Sequence, residues 1–200
     1  MNDFWNERYG APEFAYGEAP NNWLEQELPD VPPGQTQRIL LPAEGEGRNA
    51  VFAAKKGYTV VCFDASEKGR EKAMQLAERH GVVIDYRIND AMHFQIEPGA
   101  YDVVALIYAH FPADLLPIIH ARCVEALRPG GHFILEGFAK EQLPLNSGGP
   151  KNEAMLFSID ELSQQLAGLR TLDLRRERVL LNEGAFHQGE AEVIRATGLK

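Results

Sequence analysis

The chain has 200 residues, 44% hydrophobic and 24% charged, with 18 Gly and 12 Pro. That length predicts one domain able to bury a core without disulfides or metal. The composition excludes collagen-like, low-complexity and largely disordered chains. Twenty Lys and Arg against 29 Asp and Glu give a net charge of −9, which argues against a nucleic-acid partner.

The opening residues 1–35 hold both Trp (Trp5, Trp23), several further aromatics and a Pro-rich exit at Pro29-Asp30-Val31-Pro32-Pro33-Gly34. Thirty-five residues are too few for a core of their own, so they read as a cap on the rest. Its start, Met1-Asn2-Asp3-Phe4, lacks the basic and apolar runs of a signal peptide. Ile39-Leu40-Leu41 then reads as a strand buried on both faces, and Arg48 to Lys56 as a helix stopped by Gly57. Thr59 to Phe63 is a second strand, Ser66 to His80 a helix ended by Gly81, and Val82 to Ile88 a third strand. Tyr101 to Tyr108 is the fourth and most apolar. Its uncharged stretch, Val103 to Ala113, is eleven residues, short of the about 20 a membrane helix needs.

Leu116, Ile119, Cys123, Ala126 and Leu127 fall at helical spacing, and Pro129-Gly130-Gly131 turns into a fifth strand, His132 to Phe138. After a loop at 142–151, Ser158-Ile159-Asp160-Glu161 is a capping box that starts a helix. Thr171 to Leu181 and Glu190 to Thr197 are strands with no helix between them, so they pair antiparallel. A long turn over Asn182 to Gly189 is expected to join them. The fold class is α/β: a Rossmann-like doubly wound sheet of five parallel strands, with a C-terminal antiparallel hairpin on one edge. Cys62 and Cys123 stand far apart and read as two buried thiols. The six His show no metal-ligand spacing, so no metal is expected. The whole points to a soluble, cytoplasmic chain with no membrane partner.

Chemistry concentrates at the strand ends. After the first strand comes Leu41-Pro42-Ala43-Glu44-Gly45-Glu46-Gly47-Arg48-Asn49-Ala50. Gly45 and Gly47 allow a tight turn and close backbone approach to a ligand, with a helix N-terminus behind them. Asp64 ends the second strand, where a carboxylate accepts both hydroxyls of a ribose. Gly45-x-Gly47-x-x-Ala50 also fits the dinucleotide fingerprint, so a nicotinamide-dependent oxidoreductase is a rival. Three features oppose it: the lack of room for a catalytic domain, a second strand-end acid at Asp90, and the terminal hairpin.

On these residues, with the Arg128-Pro129-Gly130-Gly131 turn, the sequence resembles the class I S-adenosylmethionine-dependent methyltransferases over nearly its whole length. Phe4-Trp5-Asn6-Glu7-Arg8-Tyr9 and Tyr16-Gly17-x-x-Pro20-Asn21-x-Trp23-Leu24 resemble its small-molecule branch, which includes tellurite-resistance and thiopurine methyltransferases. The family's opening Asp and first Gly are replaced here by Leu41 and Ala43. The resemblance implies S-adenosylmethionine as cofactor, S-adenosylhomocysteine as product, and a small-molecule acceptor, with soft sulfur, selenium or tellurium nucleophiles among the candidates. It implies a cap at 1–35, a cofactor-binding core at 36–140 and a substrate-side segment at 141–200, in a monomer or weak homodimer.

Glu44, close to the missing Asp, inherits part of its contact through the methionine ammonium, and the resemblance gives Asp64 the ribose, Asp90 the adenine amine and the Ala91 N–H the adenine ring. Gly45, Gly47, Asn49, Ala65, Ser66 and Asn89 surround the cofactor, and Ile107 and Tyr108 pass beneath it. His110 and Tyr108 are the catalytic candidates. Trp5, Arg8, Tyr16 and His187 are the candidates for lid and substrate contacts. A binding module without catalysis is the remaining alternative, because the first-motif Asp is missing.

Overall fold

The computed structural model describes residues 2–200. The cap holds α1 (Asn2–Arg8) and α2 (Asn22–Glu27). The core follows as β1 (Arg38–Pro42), α3 (Arg48–Lys55), β2 (Thr59–Asp64), α4 (Glu67–Arg79), β3 (Asp85–Ile88), β4 (Tyr101–Ile107), α5 (Leu116–Ala126) and β5 (Leu127–Phe138). The chain ends with α6 (Ile159–Gln165), β6 (Thr171–Glu183) and β7 (His187–Leu199). All seven strands form one sheet in the order β3-β2-β1-β4-β5-β7-β6. β1 to β5 run parallel, and β7 pairs antiparallel with both β5 and β6.

Alternation along the strands divides the core in two. Leu40, Val61, Phe63, Val104, Leu106 and Leu135 face α5 and α6. Ile39, Leu41, Val60, Cys62, Ala105 and Ile107 face α2, α3 and α4. Side chains alternate along a strand, so two-sided burial requires the continuous apolar runs seen in the sequence. Both cysteines are buried thiols. Among the described residues no helix is long and apolar enough to cross a membrane.

The structure departs from expectation at four places. β5 begins at Leu127, paired with Tyr101, and takes in the Pro129-Gly130-Gly131 stretch expected as a turn. β3 begins only at Asp85, because it is an edge strand whose register with β2 covers Asp85 to Ile88; Val83 before it is 87% exposed. The hairpin turn is three residues long, not eight, and pairing runs on through Asn182↔Gln188 and Glu183↔His187. A contact distant in sequence holds this tip: Ala185 and Phe186 donate their N–H groups to the Ala15 carbonyl of the cap. The cap is itself divided, since Trp23, Leu24 and Leu28 lie in the core beside α3, whereas Trp5, Arg8 and Tyr16 do not.

His120 in α5 is fully buried. Its Nδ1 meets Gln165 Oε1 at 2.6 Å, and its Nε2 has no partner. Burial pulls its pKa down to about 4, so the folded state holds a neutral ring where the unfolded chain gains a proton below about 6.5. That stability is present above pH 6.5 and is lost as pH falls toward 4. Urea unfolding at pH 7 and 4.5 should show the wild type losing about 2–3 kcal/mol more than His120→Phe. Equal losses would remove His120 from the acid response.

Candidate functional site

β1 lies between β2 and β4, and the following helices pack on opposite faces of the sheet. In such sheets the crevice beyond the strand carboxyl ends is where ligands bind. A cavity of 860 Å³ opens there, within the roughly 300–1,000 Å³ of small-molecule sites.

Its floor is the β1–α3 turn. Ala43 and Gly45 both have positive φ, 54° and 59°. Gly45 N–H donates to Asp64 Oδ2 at 3.0 Å, and its carbonyl accepts from Tyr86 Oη at 2.6 Å. A Cβ on Gly45 would come within 2.6 Å of Tyr9 Oη, so only glycine fits. Asp64 Oδ1 accepts from Ser66 N–H at 2.9 Å. A carboxylate has about four lone-pair positions, and these two bonds leave acceptor capacity on both oxygens. Burial raises the pKa of Asp64, partly offset by the Ser66 and Gly45 N–H groups.

Glu44, Gly45, Asn49, Asp64, Ala65, Asn89, Asp90, Ala91 and Ile107 all line the cavity, as do Tyr108, His110, Trp5, Arg8, Tyr16 and His187. Gly47 and Ser66 do not. Gly47 lets α3 approach α4, where a Cβ would sit 2.5 Å from the Ala73 methyl. The Ser66 hydroxyl caps α4 through Gly69 N–H and donates to Asn6 Oδ1 at 2.7 Å. Both are therefore scaffold, not lining.

Several lining residues also hold the scaffold together. Asp90 is exposed on the rim, and its carboxylate accepts from Met92 and His93 N–H and meets His93 Nδ1 at 2.8 Å. Both backbone bonds fall on Oδ1, so Asp90 caps its own loop and still lines the cavity beside Ala91. The Asn49 amide oxygen accepts from Asn21 N–H at 2.9 Å, which fastens α2 to α3. Glu44 accepts from Ala50 N–H at 2.7 Å, and burial lifts its pKa to about 7. One of its oxygens thus caps α3.

His110 is unsuited to accepting a proton. Its Nδ1 donates to the Met155 carbonyl at 2.8 Å, and its Nε2 accepts from Phe138 N–H at 3.0 Å. Both nitrogens are engaged, and burial pulls its pKa to about 4. Tyr108 sits in the left-handed region at φ 51°. Its Oη is buried without a partner beside Glu136 and Glu183, so the ring forms cavity wall and the hydroxyl is withheld.

The roof is built by the cap and the hairpin tip together. Arg8 donates to Tyr16 Oη at 3.0 Å and lies 3.8 Å over the Phe186 ring. Tyr16 packs on His187 with centroids 4.4 Å apart. Glu46 pairs with Lys72 at 2.7 Å and accepts from Ala15 N–H, tying the cap to the β1–α3 turn and α4. Tyr9, Asn21, Glu46, Glu136 and Glu183 therefore belong to the site's framework, though the sequence assigns none of them a role. A cross-strand register for the hairpin would have revealed Glu183 opposite His187.

Residues 39–131 match a family model described as a methyltransferase domain. The matched stretch runs from β1 into the start of β5, and solved structures of S-adenosylmethionine-dependent methyltransferases share this fold. The chain is 24% identical over 152 residues to a 2-heptyl-1-hydroxyquinolin-4(1H)-one methyltransferase of Mycobacteroides abscessus, covering 74% of this chain. The match spans 65% of that relative's length. A solved structure from work on converting a disulfide bond into a thioacetal group in echinomycin biosynthesis is similar, with TM-score 0.73, 16% identity and coverage of 99% and 88%. So is phosphoethanolamine N-methyltransferase 2 of Haemonchus contortus, held with S-adenosylhomocysteine, with TM-score 0.66, 16% identity and coverage of 98% and 56%.

The cap's contacts generate a test. Without residues 1–10 the core helix α2 and the Ala15 contact remain. The truncated chain should keep its far-UV spectrum and cooperative unfolding while losing at least about tenfold in S-adenosylhomocysteine affinity, roughly 1.4 kcal/mol. Calorimetry beside circular dichroism measures both. Unfolding, or unchanged affinity, would contradict a roof over the ligand.

Proposed function

We propose that the protein transfers a methyl group from S-adenosylmethionine to a small-molecule acceptor held between the cap and the hairpin tip. One observation carries this reading: Asp64 stands at the end of β2 with acceptor capacity on both oxygens, under a Gly45 that tolerates no Cβ. The residues fit the cofactor. Asp64 would take the ribose hydroxyls, Ala65, Asn89 and Ala91 would flank the adenine, and Ile107 would lie beneath. The second Glu44 oxygen would meet the methionine ammonium, and Arg8 its carboxylate.

The cofactor supplies an already activated methyl on a sulfonium. The protein has to align the acceptor and exclude water, and a roofed aromatic cavity suits both. Aromatic faces beside a cation also stabilise it, by about 0.5–2 kcal/mol each. The small-molecule branch resembled by the cap motifs, and the quinolone named for the mycobacterial relative, support an acceptor of modest size. Soft sulfur, selenium or tellurium nucleophiles remain within this reading, since they need little help from a base.

Titration calorimetry should give S-adenosylhomocysteine binding and no NADH binding at comparable concentration; the reverse preference would favour an oxidoreductase. Charge-assisted bonds to two hydroxyls contribute about 1.5–3 kcal/mol, so Asp64→Ala should weaken S-adenosylhomocysteine roughly ten- to a hundredfold. Unchanged affinity would place the ribose elsewhere.

A further inference from the structure

His187 opens β7 directly opposite Glu183, the last residue of β6. Its side chain is only 6% exposed, yet it lines the cavity. Nδ1 lies 3.2 Å from Glu183 Oε2. Arg48 Nη2 holds the same oxygen at 2.9 Å, and Asn21 Nδ2 the other at 3.3 Å. Burial alone would favour a neutral Glu183 carboxyl, but His187 and Arg48 outweigh it and bring its pKa to about 2. An ionised carboxylate has no proton to donate, so Nδ1 carries the hydrogen and Nε2 the lone pair.

The ring is fixed on all sides. Tyr16 and Tyr108 pack on it at 4.4 Å each, Phe138 at 5.2 Å, and a Cβ on Gly148 would come 2.7 Å from its Cδ2. Nε2 has no protein partner, and it is not among the sealed, unpartnered side-chain atoms of the described residues. The charged and titratable groups facing the ring are Glu183, Glu136, Arg48, His110, Tyr16 and Tyr108. Burial lowers its pKa against the opposing pull of Glu183, so the ring is neutral at pH 7. His110, by contrast, has both nitrogens committed, and His93 stands exposed on the rim.

We propose that His187 is the general base of the site, positioned by Glu183, and that the acceptor is a flat, apolar molecule bearing one weakly acidic hydroxyl. A preformed chalcogenide anion would give such a base nothing to do. The flat frame follows from walls made by Phe111, Phe138, Phe186, Tyr16 and Tyr108. The acceptor hydroxyl gives its proton to Nε2 while its oxygen bonds to the methyl carbon, and the carbon–sulfur bond breaks with its electron pair left on sulfur. The imidazolium is stabilised by Glu183 and returns the proton to solvent. This inference rests on the methyl-transfer reading above.

The test combines spectroscopy with kinetics on the full chain. Histidine nitrogen NMR of the wild type at pH 7, with and without S-adenosylhomocysteine, should show His187 as the neutral Nδ1–H tautomer titrating below 6.5. Glu183→Gln should mix the tautomers and displace the acid limb of the pH–rate profile. His187→Gln should still bind S-adenosylhomocysteine. Its turnover of 2-heptyl-1-hydroxyquinolin-4(1H)-one should fall roughly a hundredfold or more. Its loss on thiophenol at pH 8.5, where that acceptor is already ionised, should be at least about tenfold smaller, as expected when the base is not needed. An imidazolium or Nε2–H tautomer at pH 7 would overturn the proposal, as would equal losses on the two acceptors. A wild type that binds S-adenosylhomocysteine without methylating the hydroxyquinolone would overturn the acceptor class and leave the methyl-transfer reading standing. Absence of S-adenosylhomocysteine binding would defeat that reading itself.

Discussion

Three parts of the chain that are far apart in sequence meet at one largely buried carboxylate. Glu183, at the tip of β6, receives Arg48 from α3, Asn21 from the cap and His187 from β7. Asn21 also donates to Glu136 of β5 at 2.6 Å, and Glu136 is held from the other side by Arg195. A buried Glu136 and a largely buried Glu183 would repel each other, so each needs its own cation, and the pairs Arg48–Glu183 and Arg195–Glu136 supply them. Removing one partner of such a buried pair costs roughly 3–5 kcal/mol, because the other charge is left uncompensated. Cap, turn and hairpin are thereby locked in one geometry, and the cavity is the space they enclose.

The arrangement separates the site's tasks. The β1 and β2 ends form a rigid floor, in which Gly45 and Asp64 hold each other by a backbone-to-carboxylate bond. The roof is aromatic and rests on the hairpin tip through the Ala15 carbonyl and the Arg8–Phe186 contact. Its weight of packing lies in side chains, with few backbone bonds to the floor. Lids are drawn from such elements, which open locally at lower cost than the sheet beneath them.

Much of the floor was legible in the sequence. Apolar runs bounded by Gly and a strand-end acid have a direct physical meaning, so the parallel strands, Gly45 and Asp64 could be placed from local pattern alone. The failures share a cause. His110 has the right position in the chain, but its neighbours are Met155 and Phe138, distant in sequence. The stretch Asn182 to Gly189 has the composition of a solvated turn, yet its ends stay paired as strand and the cap contact holds its tip. Trp23 reads as part of the cap because nothing local separates it from Trp5; the Asn21 bonds to Asn49 and Glu136 turn it into the core.

The central claim is that the carboxyl edge of β1, β2 and β4 binds the nucleoside of S-adenosylmethionine, with the methyl directed toward the hairpin tip. A crystal structure of the protein with S-adenosylhomocysteine tests it most directly. The account predicts both ribose hydroxyls within hydrogen-bonding distance of the Asp64 carboxylate, and the thioether sulfur facing the space between Tyr108 and His187. A ligand bound elsewhere, or a ribose turned away from Asp64, would contradict it.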